Sequence, residues 1–303
     1  MRRTEREKRL DSRNRADIRP TVAIVGAGSL ASFLAPALSA AGYPVVEIIM
    51  RRQARAESMR RARRLASKVG AKAVTVERAV LGASLLWFCV PDREIAGAAT
   101  ALAVKVPHSS KKRYAFHSSG ALLSGELAPM HKAGWSTASV HPLMTFVDGK
   151  KPDLREVPFA IEGDPAATRL ARLIVQELGG EAFILSVRRK AAYHAWATMT
   201  SPLLVAYLVS FEGAARQAGL SPEASRRMSA PIIHQTLANY AKRGPAKSFS
   251  GPLIRGDVAT VATHLELLKK NPATRNVYVS LARVALTHLP SANKRELRRL
   301  LKS

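Results

Sequence analysis

Residues whose type and spacing can do chemistry fall at a few places in the chain. The first is Val22-Ala23-Ile24-Val25-Gly26-Ala27-Gly28-Ser29-Leu30-Ala31, an apolar run followed by a G-x-G-x-x-A turn and the start of a helically spaced stretch. Gly26 permits a tight turn after a strand, Gly28 lets the backbone approach a pyrophosphate, and Ala31 allows the helix to pack closely. The N–H groups around Ala27, Ser29 and Leu30, at the start of that helix, attract negative charge. A bare glycine pattern is weak evidence, but here the flanking strand, the following helix and the first-strand position agree. These residues are expected to bind a dinucleotide; an empty, degenerate version of the same unit is the competing reading.

Which dinucleotide is decided at the end of the second strand, about 20 residues on, where an acid accepts from the ribose hydroxyls of NAD and a base meets the extra phosphate of NADP. Arg51 and Arg52 stand there, while Glu47, the nearest acid, falls too early, within the strand itself. NADP(H) is therefore expected over NAD(H). A solvated basic helix start explains Arg60 to Arg64 well and Arg51 poorly. Val90-Pro91-Asp92 ends the fourth strand, where ribose and nicotinamide would pass. Pro91 stops the strand, and Asp92 either shapes the cofactor crevice or caps the next helix.

His117-Ser118-Ser119-Gly120 follows the fifth strand and His141-Pro142 the sixth, so both histidines are expected at the carboxyl edge of the sheet, where ligands bind. A histidine there can relay a proton near neutral pH, and Ser118 and Ser119 could touch the cofactor. Equally, the serines could cap a helix and the imidazoles be bonded into the fold. Lys190, His194 and Ser201, spaced by four and seven residues, share one helix face. Tyr193 and Trp196 beside them read as packing residues. His117, Lys190 and His194 are the candidate proton donors; His141, Ser201, Arg255 and Asp257 are candidate substrate contacts. For the last two, in Ser250-Gly251-Pro252-Leu253-Ile254-Arg255-Gly256-Asp257 ahead of His264, the alternative is an ion pair closing a helix start. No H-x-x-x-H, paired-carboxylate or nucleophile-elbow pattern supports a metalloenzyme, glycosidase or serine hydrolase reading, and no metal site is expected.

The elements that must position these residues follow from periodicity. Strand-like runs at Val22 to Val25, Val45 to Met50, Ala73 to Val76, Leu85 to Val90, Tyr114 to His117, Thr137 to Val140, Phe159 to Glu162 and Ala182 to Leu185 alternate with helical spacing at Leu30 to Ala41, Arg52 to Val69, Arg93 to Val104, Leu122 to Lys132 and Pro165 to Leu178. That alternation predicts an α/β parallel sheet, with Gly42, Gly70, Gly134 and Gly179 as helix stops. Pro36 is expected to kink the first helix. After Ser186 the strand signals end, and helices are expected over Arg189 to Ala218, Pro222 to Arg243, Val258 to Lys270 and Ala273 to His288, with Asp257 as a cap. The expected organisation is a basic, disordered arm over 1–20, a Rossmann-like domain over 21–187 and an all-α domain over 188–303.

The chain has 303 residues, 47% of them hydrophobic, enough for two real cores, and a net charge of +26. The charge gathers in the arm, in Arg51 to Arg64 and in Lys294 to Lys302. No aromatic residues interleave these blocks as base stacking would want, so nucleic-acid or anionic-surface binding is the least favoured reading. No apolar run is long enough for a spanning helix, and the first residues lack the apolar core of an export signal, so the expected location is cytoplasmic. The single cysteine, Cys89, sits in an apolar run and reads as a buried, inert thiol.

Taken together, Gly26-Ala27-Gly28-Ser29-Leu30, Val90-Pro91-Asp92, His117-Ser118-Ser119-Gly120-Ala121-Leu122, His141-Pro142-Leu143, Tyr193-His194-Ala195 and Gly251 to Asp257 with His264 resemble a bacterial family. Its members carry a Rossmann-like domain and a C-terminal helical domain of unknown function, and are related to the deazaflavin-dependent NADP oxidoreductases and to pyrroline-5-carboxylate reductase. The resemblance covers nearly the whole chain after Pro20. It implies an NAD(P)-binding oxidoreductase acting on a small molecule, with a C-terminal domain of the 6-phosphogluconate dehydrogenase-like kind, that pairs as a homodimer through that domain. Related hydroxyacid dehydrogenases place an asparagine four residues after the lysine, where His194 stands here; the resembled family itself tends to have an asparagine near Ser201, where this chain reads Ser201-Pro202. The expected function is an NADP-dependent reductase passing hydride to a small carbonyl or imine, with a non-catalytic NADP(H) sensor as the alternative.

Overall fold

The computed structural model describes residues 19–106, 111–147 and 154–302. The expected arm therefore lies outside the described residues except for its last two. The apolar runs of the first half form strands β1 (Val22–Val25), β2 (Val45–Met50), β3 (Lys72–Thr75), β4 (Leu85–Phe88), β5 (Tyr114–His117), β6 (Ser136–Pro142), β7 (Pro158–Gly163) and β8 (Glu181–Ile184). They make one sheet in the order β3-β2-β1-β4-β5-β6-β7-β8. The helices between them are α1 (Ser29–Ala40), α2 (Ala56–Val69), α3 (Asp92–Ala103), the short α4 (Ala128–Lys132) and α5 (Pro165–Glu177).

The strands read as continuous apolar runs because both faces of the sheet are covered. Val22 and Ile24 of β1 enter one core with α1, α2 and α5, through Leu34, Leu65 and Ile174. Their neighbours Ala23 and Val25 point the other way, into a second core with α3, through Ile95 and Leu102. This two-residue alternation fixes the register of β1, and with it where the Gly26 turn emerges.

Three features differ from the sequence-based expectation. The sheet is not wholly parallel, because β6 and β7 pair antiparallel, with His141 opposite Ala160. Parallel neighbours need a crossover, usually helical, and the described part of the β6–β7 connection contains no helix. Helix α2 starts at Ala56 rather than Arg52, since a turn with Ala54 N–H donating to the Arg51 carbonyl at 3.2 Å comes first. The segment from Leu122 opens with a tighter helical turn over Ser124–Leu127, and α4 follows only at Ala128. Pro36 lies inside α1, as the sequence places it, and cannot donate to the Ser32 carbonyl.

Beyond β8 the chain is helical: α6 (Lys190–Thr200), α7 (Pro202–Gln217), α8 (Pro222–Arg243), α9 (Pro245–Ser248), α10 (Pro252–Arg255), α11 (Val258–Leu268), α12 (Pro272–His288) and α13 (Lys294–Leu300). The single helix expected over Arg189 to Ala218 is broken at Ser201, whose φ of −131° and ψ of −74° are not helical. Pro202 is the cause, disfavouring helical backbone in the residue before it. The chain divides into two compact units, one ending at Ala197 and the other running from Thr198. This division falls within α6, ten residues beyond the boundary expected at 187/188. In the second unit, Val261 and Leu265 of α11, Val279, Ala282 and Leu286 of α12 and Leu297 of α13 form the core.

Candidate functional site

The first unit carries a cradle where β1 ends. Gly26 has φ +104°, and a Cβ there would lie 2.6 Å from the Cys89 carbonyl oxygen of the neighbouring strand end. Gly26 N–H donates to the Ile49 carbonyl and Cys89 N–H to that of Val25, both at 2.8 Å, so the turn is clamped on either side. Gly28 has ordinary extended angles as the cap of α1, and a Cβ built on it would come no nearer than 4.0 Å to the protein. It offers no side chain to the helix N–H groups, and the first turn of α1 holds no acid. These donors lack intrahelical partners, and the turn leading into them, Gly26, Ala27 and Gly28, lines a cavity of about 560 Å³. That volume suits a cofactor-sized ligand. A cradle that a Cβ would close, facing uncapped N–H groups, fits a pyrophosphate.

Arg51 and Arg52 line the same cavity. Each is loosely paired, Arg51 with Glu94 at 3.9 Å and Arg52 with Glu77 at 3.8 Å, and both are largely exposed. Pairs this long and solvated are weak, so an incoming phosphate can displace the carboxylates. Glu47 turns out to serve the scaffold, accepting the backbone N–H groups of Val80 and Leu81 at 3.0 and 3.3 Å. Ser58 and Arg61 also line the cavity. The sequence reading missed them, placing Arg61 in a solvated basic block, yet their spacing of three along α2 puts them on one face. Val90 and Pro91 complete this wall.

Asp92 and the two serines belong to the scaffold of the carboxyl edge. Ser119 Oγ donates to Asp92 Oδ2 at 2.7 Å and accepts the N–H groups of Ala121 and Leu122, so it caps the following turn. Ser118 Oγ accepts from Trp87 Nε1 at 2.9 Å. His117 is fully buried and has both ring nitrogens in use: Nε2 donates to the Leu123 carbonyl at 2.9 Å, and Nδ1 accepts Ser119 N–H at 3.1 Å. The expected proton donor is therefore a neutral, structural histidine, with no nitrogen left to exchange a proton. Burial, outweighing the Leu123 bond, lowers its pKa to about 4.

That shift has a consequence for stability. Between an unfolded histidine pKa of about 6.5 and the folded value of about 4, the unfolded chain binds more protons than the folded one. Stability is then full above the upper value and falls as pH drops through the window. His141 is lowered to about 4 as well, again first by burial, and adds to the slope. Urea midpoints should fall between pH 7.5 and pH 5, and His117→Asn should flatten that dependence; an unchanged slope would contradict the assignment.

Around Gly120 the structure gathers a second set of residues. Lys190 is 2% exposed and donates to Ser139 Oγ at 2.5 Å, and Ser139 Oγ donates to the Ser119 carbonyl at 3.0 Å. Burial pulls the Lys190 pKa down to about 8, against Glu162 and Asp92, which raise it. His141 Nδ1 lies 2.7 Å from Tyr193 Oη. A Cβ on Gly120 would meet His141 Nε2 at 2.8 Å and His194 Cδ2 at 2.9 Å. Lys190, His141, His194, Ser119 and Asp92 are thus brought to one edge. Sequence reasoning missed Ser139, Gly120 and the role of Tyr193. A legible signal existed for Ser139, a hydroxyl two residues before His141 on the same face of a buried strand.

The remaining expected substrate residues lie in the second unit. Ser201 occupies the break between α6 and α7 and so leaves the helical face expected to hold it with Lys190 and His194. Asp257 caps α11, accepting Thr260 N–H at 3.2 Å and its hydroxyl at 2.7 Å. Arg255 is exposed, and no ion pair joins it to Asp257 among the described residues. Gly256, at φ +71°, packs where a Cβ would lie 2.7 Å from the Ala292 backbone. Gly251, at φ +97°, also needs a glycine's backbone freedom, and Pro252 opens α10 at its first position. Among the described residues no three His, Cys, Asp or Glu side chains are grouped to hold a metal ion. No described helix is long and apolar enough to cross a membrane.

Known proteins bear on this geometry in three ways. No curated protein matches the chain in sequence. Among solved structures, a Bacteroides fragilis protein provisionally described as an NADP oxidoreductase is 22% identical, with a TM-score of 0.68 over 88% of this chain and 97% of its own. Pyrroline-5-carboxylate reductase of Coxiella burnetii is 13% identical, with a TM-score of 0.56 over 87% and 97%. An imine reductase of Myxococcus stipitatus in complex with NADP+ is 18% identical, with a TM-score of 0.59 over 93% and 100%. At these identities the likeness is one of fold. Residues 7–142 match the Rossmann-like domain family and residues 157–285 a domain of unknown function, DUF2520. The first part of the chain thus matches Rossmann-like domains and the second part matches DUF2520.

Proposed function

We propose that this protein is an NADP(H)-dependent oxidoreductase that reduces a small carbonyl or imine. The observation that carries the reading is the coincidence, on one sheet edge, of the open Gly26–Leu30 cradle with a buried lysine of lowered pKa. Titratable groups strongly perturbed by burial are candidates for function. Gly26, Ala27, Gly28, Ser29 and Leu30 would hold the pyrophosphate; Val90 and Pro91 would border the ribose. Arg51 and Arg52, helped by Ser58 and Arg61, would take the 2′-phosphate. Bound NADPH would supply a hydride, and the chain must then supply a proton. Lys190 is the donor, charged at neutral pH yet close enough to its pKa to give the proton up; His194 stands next to it at Gly120. The fold relatives crystallised as imine reductase and pyrroline-5-carboxylate reductase lend the reaction class its plausibility.

The cofactor part is tested by calorimetric titration with NADPH and NADH. NADPH should bind more tightly, and Arg51→Ala with Arg52→Ala should weaken it by about tenfold to a hundredfold, the worth of one good charge-assisted contact. NADH affinity should not move. Equal loss for both cofactors would overturn the assignment of the arginines to the phosphate.

A homodimer through the helical unit is part of the proposal. In α7 only Gly213 is buried, while Leu203, Val205, Tyr207 and Val209 are exposed; in α8 only Ser225 is buried, with Met228, Ile232, Leu237 and Tyr240 exposed. Helices this apolar are normally covered, and a second copy of the chain is the proposed cover. Light scattering should give the mass of two chains; a monomer at micromolar concentration would refute it.

A further inference from the structure

His141 is set up differently from His117 at the same edge. One of its nitrogens, Nδ1, faces Tyr193 Oη at 2.7 Å, and the other, Nε2, stands over the bare Cα of Gly120, where a Cβ would come within 2.8 Å of it. Tyr193 is itself buried, and its ring stands edge-on to His141, to Phe183 and at a tilt to Trp196, so the phenol is held rather than free to swing. A phenol is a good donor, and burial, which pushes its pKa up to about 12, keeps its proton on. With that O–H donating and Nδ1 accepting, the imidazole proton sits on Nε2.

We infer that Tyr193 is a positioning residue that locks His141 as the neutral Nε2–H tautomer, so that this imidazole presents a fixed hydrogen-bond donor across Gly120 to a carbonyl or carboxylate oxygen of the substrate. The inference rests on the proposed oxidoreductase site and names its substrate class: a compound with an acceptor oxygen, rather than a simple amine or alkyl-iminium cation. His141 is then not a general acid. A proton delivered by Lys190 and a bond donated by His141 do separate work, since the first completes a reduction and the second orients the reacting carbon. The groups facing His141 agree with a neutral ring. Burial is the first cause of its low pKa, Lys190, His194 and His117 also disfavour a second positive charge, and only Asp92 opposes them.

Long-range proton–nitrogen correlation of the histidine side chains in the ¹⁵N-labelled full-length protein reads the tautomer without relying on turnover. The signals that vanish in His141→Asn should be those of an Nε2–H tautomer at all pH values from 5.5 to 8. In Tyr193→Phe they should move toward the mixed-tautomer position. An Nδ1–H tautomer or an imidazolium in the wild type at pH 6, or unchanged shifts in Tyr193→Phe, would overturn the lock. The donor role is read by adding pyruvate or methylammonium, each with and without NADP+. Pyruvate should shift the His141 signals and bind about tenfold more weakly to Tyr193→Phe, the cost of one misdirected hydrogen bond; methylammonium should do neither. No shift with pyruvate, or a shift with methylammonium alone, would overturn the substrate class. Failure of the oxidoreductase reading looks different: NADPH is then never consumed, whatever the tautomer proves to be.

Discussion

Lys190→Met should lower kcat by about a hundredfold to ten-thousandfold, the usual contribution of a positioned acid, and leave the NADPH Kd within about twofold of the wild type. Lys190 is held deep in the first unit, where it donates to Ser139. Its side chain lies at the Gly120 edge, away from the arginines that line the cofactor cavity. Methionine keeps most of the lysine volume and removes a charge that burial penalises, so thermal stability should hold or rise. A rate loss without unfolding therefore reports chemistry. The wild-type rate should also depend on pH with a definite sign: the donor must be protonated, so kcat should fall as pH rises through about 8. Steady-state NADPH oxidation and calorimetry on both proteins decide the matter. A variant with unchanged rate would remove Lys190 from the mechanism. A wild type that binds NADPH tightly but never oxidises it, across 2-oxo acids, imines and oxidised deazaflavin, would favour a redox sensor.

How much of this could be read from sequence depends on the range of the interactions involved. The strands β1, β2 and β5 fall at the expected residues. Each is a short apolar run ended by glycine, arginine or histidine, a local signal, and burial on both faces leaves little ambiguity. Arg51 and Arg52 reach the cavity wall because their place at the end of β2 is fixed by that same local pattern. The antiparallel β7 was not legible, since strand direction is set by a connection and not by the strand's own residues. Histidine roles were illegible for a similar reason. His117 and His141 follow adjacent strands and look alike in sequence, but one is saturated by the backbone of Leu123 and Ser119, residues close to it in the chain, whereas the other is set by Tyr193, some fifty residues away. Ser139 could have been suspected as a hydroxyl inside an apolar strand; that Lys190 reaches it could not. The break at Ser201 was fully legible in Pro202 and was simply outweighed by the apolar periodicity around it.

Gly26→Ala and Gly28→Ala should fail in opposite ways. At Gly26 the backbone sits at φ +104°, a region an L side chain enters at a cost of about 1–3 kcal/mol. The new methyl would also stand 2.6 Å from the Cys89 carbonyl oxygen. Neither partner can retreat easily, because Gly26 N–H is bonded to Ile49 and Cys89 N–H to Val25. Relief requires the turn to move off β4 and take the start of α1 with it, adding about 1–3 kcal/mol of overpacking. A loss of about 2–6 kcal/mol is a large part of an ordinary domain's stability of about 5–15 kcal/mol, so Gly26→Ala should melt well below the wild type with or without NADPH. At Gly28 the angles, φ −78° and ψ −173°, suit any residue, and the nearest protein atom to a new Cβ is 4.0 Å away. Stability should be unchanged or slightly raised, because alanine restricts the unfolded chain. What the methyl occupies is the space in front of the uncapped α1 N–H groups, so NADPH affinity should drop by at least about tenfold, one hydrogen bond's worth or more. Paired melting curves and titrations separate the two outcomes. A Gly28→Ala protein that binds NADPH as the wild type does would mean that no pyrophosphate approaches this turn, since nothing among the described residues asks for a glycine there.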